Sequence, residues 1–303
     1  MTGSDTLARS MARALRRGLS AACFALAACA TLAPDVAPPL GPCGFDVGTL
    51  TFAGAALTQA RCLLRPVAAG GVLARQPADL PASLAALIGQ PVGDLKPRLR
   101  RYLAANRIGD AAVGGSIDAP LSHARDDDPA APAARYFVLH DTSTPWLGDA
   151  PAFPPDDDPA LNDLARFAGP DAVAHMFVAR DGRTLLGHDF RTPWRATQFE
   201  SLRIGVAARG LFLHTEFAQP RRHDPAGAAH NDLIAPLPGF TEAQYAQMAL
   251  LYGAASARRG DWLIPAFLAA LDEGMPGAHD DPQHFELARF AAELERLRAA
   301  LPR

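Results

Sequence analysis

The stretch "RYFVLHDTSTP", residues 135–145, decides how the rest of the chain is read. Tyr136, Phe137, Val138 and Leu139 are apolar and partly aromatic or β-branched, the composition of a buried strand. The run stops on His140 and Asp141, and Pro145 removes a backbone donor and ends any pairing. A strand finishing on an imidazole and a carboxylate either meets solvent there or carries chemistry at its tip. Because strand side chains alternate, Val138, His140 and Thr142 share one face.

Further strands follow. In "LFLHTEF", 211–217, Phe212, His214 and Glu216 point one way while Leu213, Thr215 and Phe217 point the other. A glutamate on such an apolar strand is costly to bury unless it is paired or used, unless the strand is an edge whose His214 and Glu216 face water. "AVAHMFVARDGRTLLGHDF", 172–190, reads as two strands joined at Asp181-Gly182, a strong hairpin signal. Helices interleave: "LPASLAALIG", "LKPRLRRYLAANRIG", a short one around "PALNDLARFAG", a long one over 241–259 and a last one over 285–301. In the long helix Thr241 and Gln244 match a capping box, and Tyr245, Met248, Ala249, Tyr252 and Ala255 make an apolar stripe. Strands alternating with helices predict an α/β (α+β) fold with a mixed central sheet flanked by helices.

The chain has 303 residues, 49% hydrophobic and 20% charged, which suits a globular protein able to bury one large core or two smaller ones. A net charge of −3 offers no basic excess for nucleic acid. Arg9, Arg13, Arg16 and Arg17 precede the apolar run "GLSAACFALAAC", the pattern of a signal peptide over 1–29 and too short to span a bilayer. Leu26-Ala27-Ala28-Cys29 matches a bacterial lipoprotein box with Cys29 as the lipidated residue, and Ala28-Cys29-Ala30 also suits ordinary cleavage. Either way the chain is exported to the periplasm or cell envelope. The lipobox adds a membrane anchor. The Pro/Ala-rich segment 30–42 then reads as a tether, and 43–112 as a small module ahead of a larger domain, 113–303. Within that module "GTLTFAG" and "ARCLLRPV" read as a hairpin. Once Cys23 and Cys29 are set aside, Cys43 and Cys62 remain, an exported pair predicting a disulfide.

No G-x-S-x-G elbow, Walker A loop, dinucleotide glycine fingerprint or H-E-x-x-H occurs in the sequence. The candidates for chemistry are instead His140, strand-borne His214 and Glu216, and a dense late loop "GAHDDPQHF", 277–285. Their order, with "AHMFVARDGRTLLG" and "FTEAQYAQMALLY" between, resembles the zinc-dependent N-acetylmuramoyl-L-alanine amidase and peptidoglycan recognition protein family over residues 115–300. "VLHDT" matches the family strand whose histidine is the first zinc ligand, and "LHTEF" the strand glutamate that serves as acid/base.

The resemblance implies Zn²⁺ held by His140, His279 and Asp281. Asp280, His284 and His214 remain alternatives for the third ligand, because the Cys or Asp that the family carries further downstream is missing. A second alignment sets "HDDP" on the family's "KxDPG" and puts His279 where a transition-state lysine stands. The implied chemistry is metal-assisted hydrolysis of the amide between N-acetylmuramic acid and L-alanine in peptidoglycan or muropeptides, with Glu216 relaying the proton and Asp141 accepting from a zinc histidine. His175, His214, Arg221 and Arg222 are expected to line the substrate site, and the long segment 218–240 to act as a lid or clamp. Two rivals stand beside this reading: a peptidoglycan-binding protein on the same fold without bond cleavage, and a metal hydrolase of an unrelated amide or ester.

Overall fold

The computed structural model describes residues 41–302, apart from 126–127 and 229–230; the export segment, Cys29 and most of the tether lie outside the described residues. The described residues form one compact unit. Among the described residues no helix is long and apolar enough to cross a membrane.

A short hairpin, β1 (Phe45–Asp46) and β2 (Thr51–Phe52), opens the unit and leads into α1 (Ala56–Leu63). The first half of the expected second strand "ARCLLRPV" is therefore helix: Ala60, Leu63 and Leu64 are buried at helical spacing. Cys43 and Cys62 are disulfide-bonded, their Cα atoms 5.9 Å apart. Two further helices follow, α2 (Ala82–Ala85) and α3 (Leu95–Ala105), with Leu95, Leu99 and Leu103 on the buried face of α3.

The central sheet has five strands: β3 (Tyr136–Asp141), β4 (Met176–Val178), β5 (Thr184–Leu186), β6 (Phe212–Phe217) and β9 (Ile264–Phe267), in the spatial order β5-β4-β6-β3-β9. It is mixed, because only β5 runs antiparallel to its neighbour. Parallel strands need crossovers long enough to hold helices, as the alternation in the sequence implied. Strand β6 is interior rather than an edge, so His214 is fully buried instead of wet. The segment expected to form a lid folds as a hairpin, β7 (Arg222–Ala228) and β8 (Asn231–Ile234), with an irregular register.

One face of the sheet is covered by α4 (Glu242–Arg259), whose Tyr252 ring meets Phe137 edge-on. Its capping box forms as read: the Thr241 hydroxyl accepts from the Gln244 N–H, and the Gln244 side chain accepts from the Thr241 N–H. A short turn, α5 (Leu268–Leu271), follows β9, and α6 (Leu287–Ala300) packs on α4. The lower half of the opposite face is covered by the N-terminal hairpin. There Phe45, Phe52 and Phe199 form an aromatic cluster against Tyr136 and Phe212, and the Tyr136 hydroxyl accepts from the Phe52 N–H at 3.1 Å. Its upper half, at the C-terminal ends of β3 and β6, is left for a cavity.

Candidate active site

Register places the cavity. His140 pairs with Glu216 on β6, and Glu216 with Phe177 on β4, so three side chains stand in a row across one face at the strand ends. Leu268, the residue after β9, lines the cavity beside them. Open parallel sheets bind ligands at this end. The cavity encloses about 400 Å³, and Asp141, Thr142, Ser143, Arg195, His279 and Asp281 complete its polar lining. Phe167, Phe177, Val173 and Trp194 form an apolar wall, with the Phe167 and Phe177 rings stacked 4.8 Å apart. His140, Glu216, His279 and Asp281, singled out from separated stretches of sequence, thus line one hollow.

Their surroundings set their charge. Burial, and then the imidazoles of His214, His279 and His175, push the His140 pKa well below its ordinary value. Burial, and then Asp141, raise Glu216 well above the usual carboxylate range. Asp281 is raised in the same way, by burial first and then by Asp141 and Glu216. His279 moves up instead, because its Nδ1 lies 2.7 Å from Oδ2 of Asp272. The other oxygen of Asp272 accepts from the Phe199 N–H at 2.9 Å, which fixes that carboxylate in place.

The donor set implied by the resemblance is not assembled. Among the described residues no three His, Cys, Asp or Glu side chains form a group that could hold a metal ion. Both ring nitrogens of His140 face other side chains: Nε2 lies 3.1 Å from Nδ1 of His214, and Nδ1 lies 3.6 Å from Oε1 of Glu216. Nδ1 of His279 is engaged by Asp272, and Oδ2 of Asp281 accepts from the Asp141 N–H at 2.8 Å. These contacts leave Nε2 of His279 and Oδ1 of Asp281 able to donate to a metal, but among the described residues His140, His279 and Asp281 are not drawn together into one metal-binding group. Asp141 is not an acceptor for a metal-bound histidine either; its Oδ2 pairs with Nη2 of Arg221 at 2.7 Å.

The four residues expected to touch substrate are engaged elsewhere, and none lines the cavity. Arg221 is 1% exposed, held by Asp141 and by Oε1 of Gln219 at 2.6 Å. Arg222 donates to the Ala150 carbonyl and lies over the Phe153 ring. His175 is buried: its Nδ1 accepts from the His214 N–H, and Nε2 meets the Thr192 carbonyl at 3.0 Å. His214 lies one pleat below Glu216, under the cavity floor.

Sequence reading missed Asp272, Glu200 and the apolar wall. Glu200 carried one usable sign, since Thr197-x-x-Glu200 matches the start of a capped turn. The Glu200 N–H indeed donates to the Thr197 hydroxyl at 2.9 Å, opening a π-helical turn over Glu200–Ile204.

No protein-family model matches the chain, and no curated protein matches it. Among solved structures it is similar to one titled "crystal structure of Se-Met AmpD derivative", at 19% identity and a TM-score of 0.32, over 60% of this chain and 97% of that one. At that overlap the likeness assigns neither family nor activity.

Proposed function

We propose that the chain is an amide hydrolase acting on peptidoglycan or its muropeptide fragments, with the cavity as its active site and Glu216 as the group that moves protons. The convergence of His140, Glu216, His279 and Asp281 on one hollow supports this reading, because packing alone gives no reason to gather four titratable side chains at the sheet's C-terminal end. Glu216, whose protonated form is favoured by burial and then by Asp141, can hand a proton to a departing amine. Neutral His140 beside it can take a proton from the water whose oxygen bonds to the amide carbon as the C–N bond breaks. The Phe167, Phe177, Val173 and Trp194 wall excludes water and offers ring faces to a sugar or a lactyl group. Arg195 lines the same cavity and offers a cation to a stem-peptide carboxylate. No step is routed through zinc, since among the described residues no three donors are gathered around one point.

The Cys43–Cys62 disulfide supports placing this activity outside the cytoplasm, where such bonds persist. Lipid attachment at Cys29 belongs to the same proposal. A second reading, peptidoglycan binding without cleavage, is favoured by the unassembled donor group. Digestion of purified peptidoglycan and of soluble muropeptides, read by mass spectrometry, separates the two. Peptides with a free N-terminal L-alanine support the hydrolase; sedimentation with the wall and no such peptides supports the binder.

A further inference from the structure

We infer that the protein carries a second binding site at the opposite end of the sheet, where Arg135 and Arg259 form a guanidinium pair that takes a carboxylate on a short apolar body. Both arginines line a pocket of about 230 Å³ between the N-terminal module and the sheet. Arg135 lies just before β3, and Ile264, which opens β9, pairs with Tyr136, the first residue of β3. His140 and Glu216 stand at the far end of these strands. The two hollows share no lining residue, so this inference does not rest on the proposed hydrolysis.

Both guanidiniums are half-buried and held before any ligand arrives. Nη1 of Arg259, the last residue of α4, donates to the carbonyls of Ala133 and Ala134 at 3.0 and 2.6 Å. Nη1 of Arg135 donates to the Thr51 hydroxyl at 2.9 Å, and Nε2 of Gln59 fixes that hydroxyl in turn at 3.2 Å. These partners are neutral oxygens. They need a donor, not a cation, and so leave the charge of each arginine unexplained. The rim is tied to the floor as well: the Gly89 N–H donates to the Trp262 carbonyl, and the Trp262 N–H to the Gln90 carbonyl, both at 2.9 Å. A pocket fixed in this way loses little freedom when a ligand enters.

Charge and size select the ligand. Two arginines against one carboxylate, Asp261, leave the pocket with one positive charge in excess. Burial, and then the like charge of Arg135, push the Arg259 pKa down, and Asp261 offsets only part of this. A monoanion balances the excess, whereas a phosphate dianion overshoots it. The guanidinium fork also matches the two oxygens of a carboxylate. Ala56, Trp262 and Ile264 supply the apolar lining. The volume lies below the roughly 300–1,000 Å³ of pockets for drug-sized ligands, so the body behind the acid is small. The ligand class is a short carboxylic acid or the C-terminus of a peptide ending in small residues.

The test follows the indole N–H signals of the three tryptophans in the ¹⁵N-labelled full chain, because Trp262 lines this pocket and Trp194 the cavity. N-acetyl-alanyl-alanine and propionate are titrated to millimolar concentration at neutral pH. At least one is expected to move the Trp262 signal to saturation, and the tighter of the two tells a peptide end from a free acid. Arg135→Gln, which keeps a donor for Thr51, and Arg259→Met are each expected to weaken that binding about tenfold or more. The inference is overturned if neither acid moves Trp262, whatever Trp194 does. It is overturned too if the C-terminal amide of the peptide binds as well as the acid, or if inorganic phosphate binds more tightly than both acids. Unchanged affinity in folded Arg135→Gln sinks it as well, and that variant decides the matter if Arg259→Met does not fold. None of these readings involves bond cleavage, so failure of the proposed reaction leaves them intact.

Discussion

Arg221 and Asp141 form an ion pair with almost no contact to water: Nη2 and Oδ2 are 2.7 Å apart, and the two side chains are 1% and 0% exposed. Arg221 faces Asp280 as well, and its charge also reaches Asp281. Removing one partner of a buried pair leaves an uncompensated charge, at about 3–5 kcal/mol. Arg221→Met should lower stability by that order in denaturant titration. Adding Asp141→Asn should recover part of the loss, which a purely steric defect would not allow.

Glu216→Gln separates chemistry from folding. Burial disfavours the charged carboxylate, and its Oε2 is buried with no hydrogen-bond partner among the described residues. The neutral amide should therefore fold with equal or greater stability at neutral pH. Hydrolysis of muropeptides should fall by about 10²–10⁴-fold, the usual worth of a positioned acid or base. Product analysis alongside a thermal melt checks both halves.

His175 makes the fold sensitive to acid. Burial, and then His214, hold its pKa down to about 3, so the native ring stays neutral where the unfolded one takes a proton near 6.5. The unfolded state binds more protons between those values, and stability is lost as pH falls through that window, by about 1.4 kcal/mol per unit. His175→Gln keeps an acceptor for the His214 N–H and a donor for the Thr192 carbonyl. It should be less stable than the natural chain at pH 7 and lose less on acidification. Denaturant titrations at pH 7 and pH 4 should show the gap narrowing.

Replacing Cys43 and Cys62 with serine opens a loop spanning 19 residues. Chain-entropy arguments put the loss at about 2–4 kcal/mol. The same drop should follow reduction of the natural protein, and reduction should leave the serine variant unaffected.

Much of the sheet was legible because strand composition and alternation are local. The face shared by Phe212, His214 and Glu216 could be read from spacing alone, and so could the capping box at Thr241. Strand order was not legible. Nothing local to "VLHDT" or "LHTEF" says that His140 and Glu216 fall in register. The pairing of Arg221 with Asp141, 80 positions apart, was hidden for the same reason, and two adjacent arginines read as substrate contacts. "ARCLLRPV" deceived because its Leu63, Leu64 and Val67 suit a helix face as well as a strand. Hairpin β7–β8 was invisible since "RRHDPAGAAHND" holds few strand-forming residues.

The aromatic cluster of Phe45, Phe52 and Phe199 bears on where this protein can be cut. These rings sit on the same sheet face as His140 and Glu216, a few residues lower down the strands. A shortened chain starting near residue 113 would bare Tyr136 and Phe212 to solvent, an adhesive patch prone to precipitation. Expression trials of the isolated catalytic half should therefore yield inclusion bodies, and domain-swapping chimeras must carry the hairpin along.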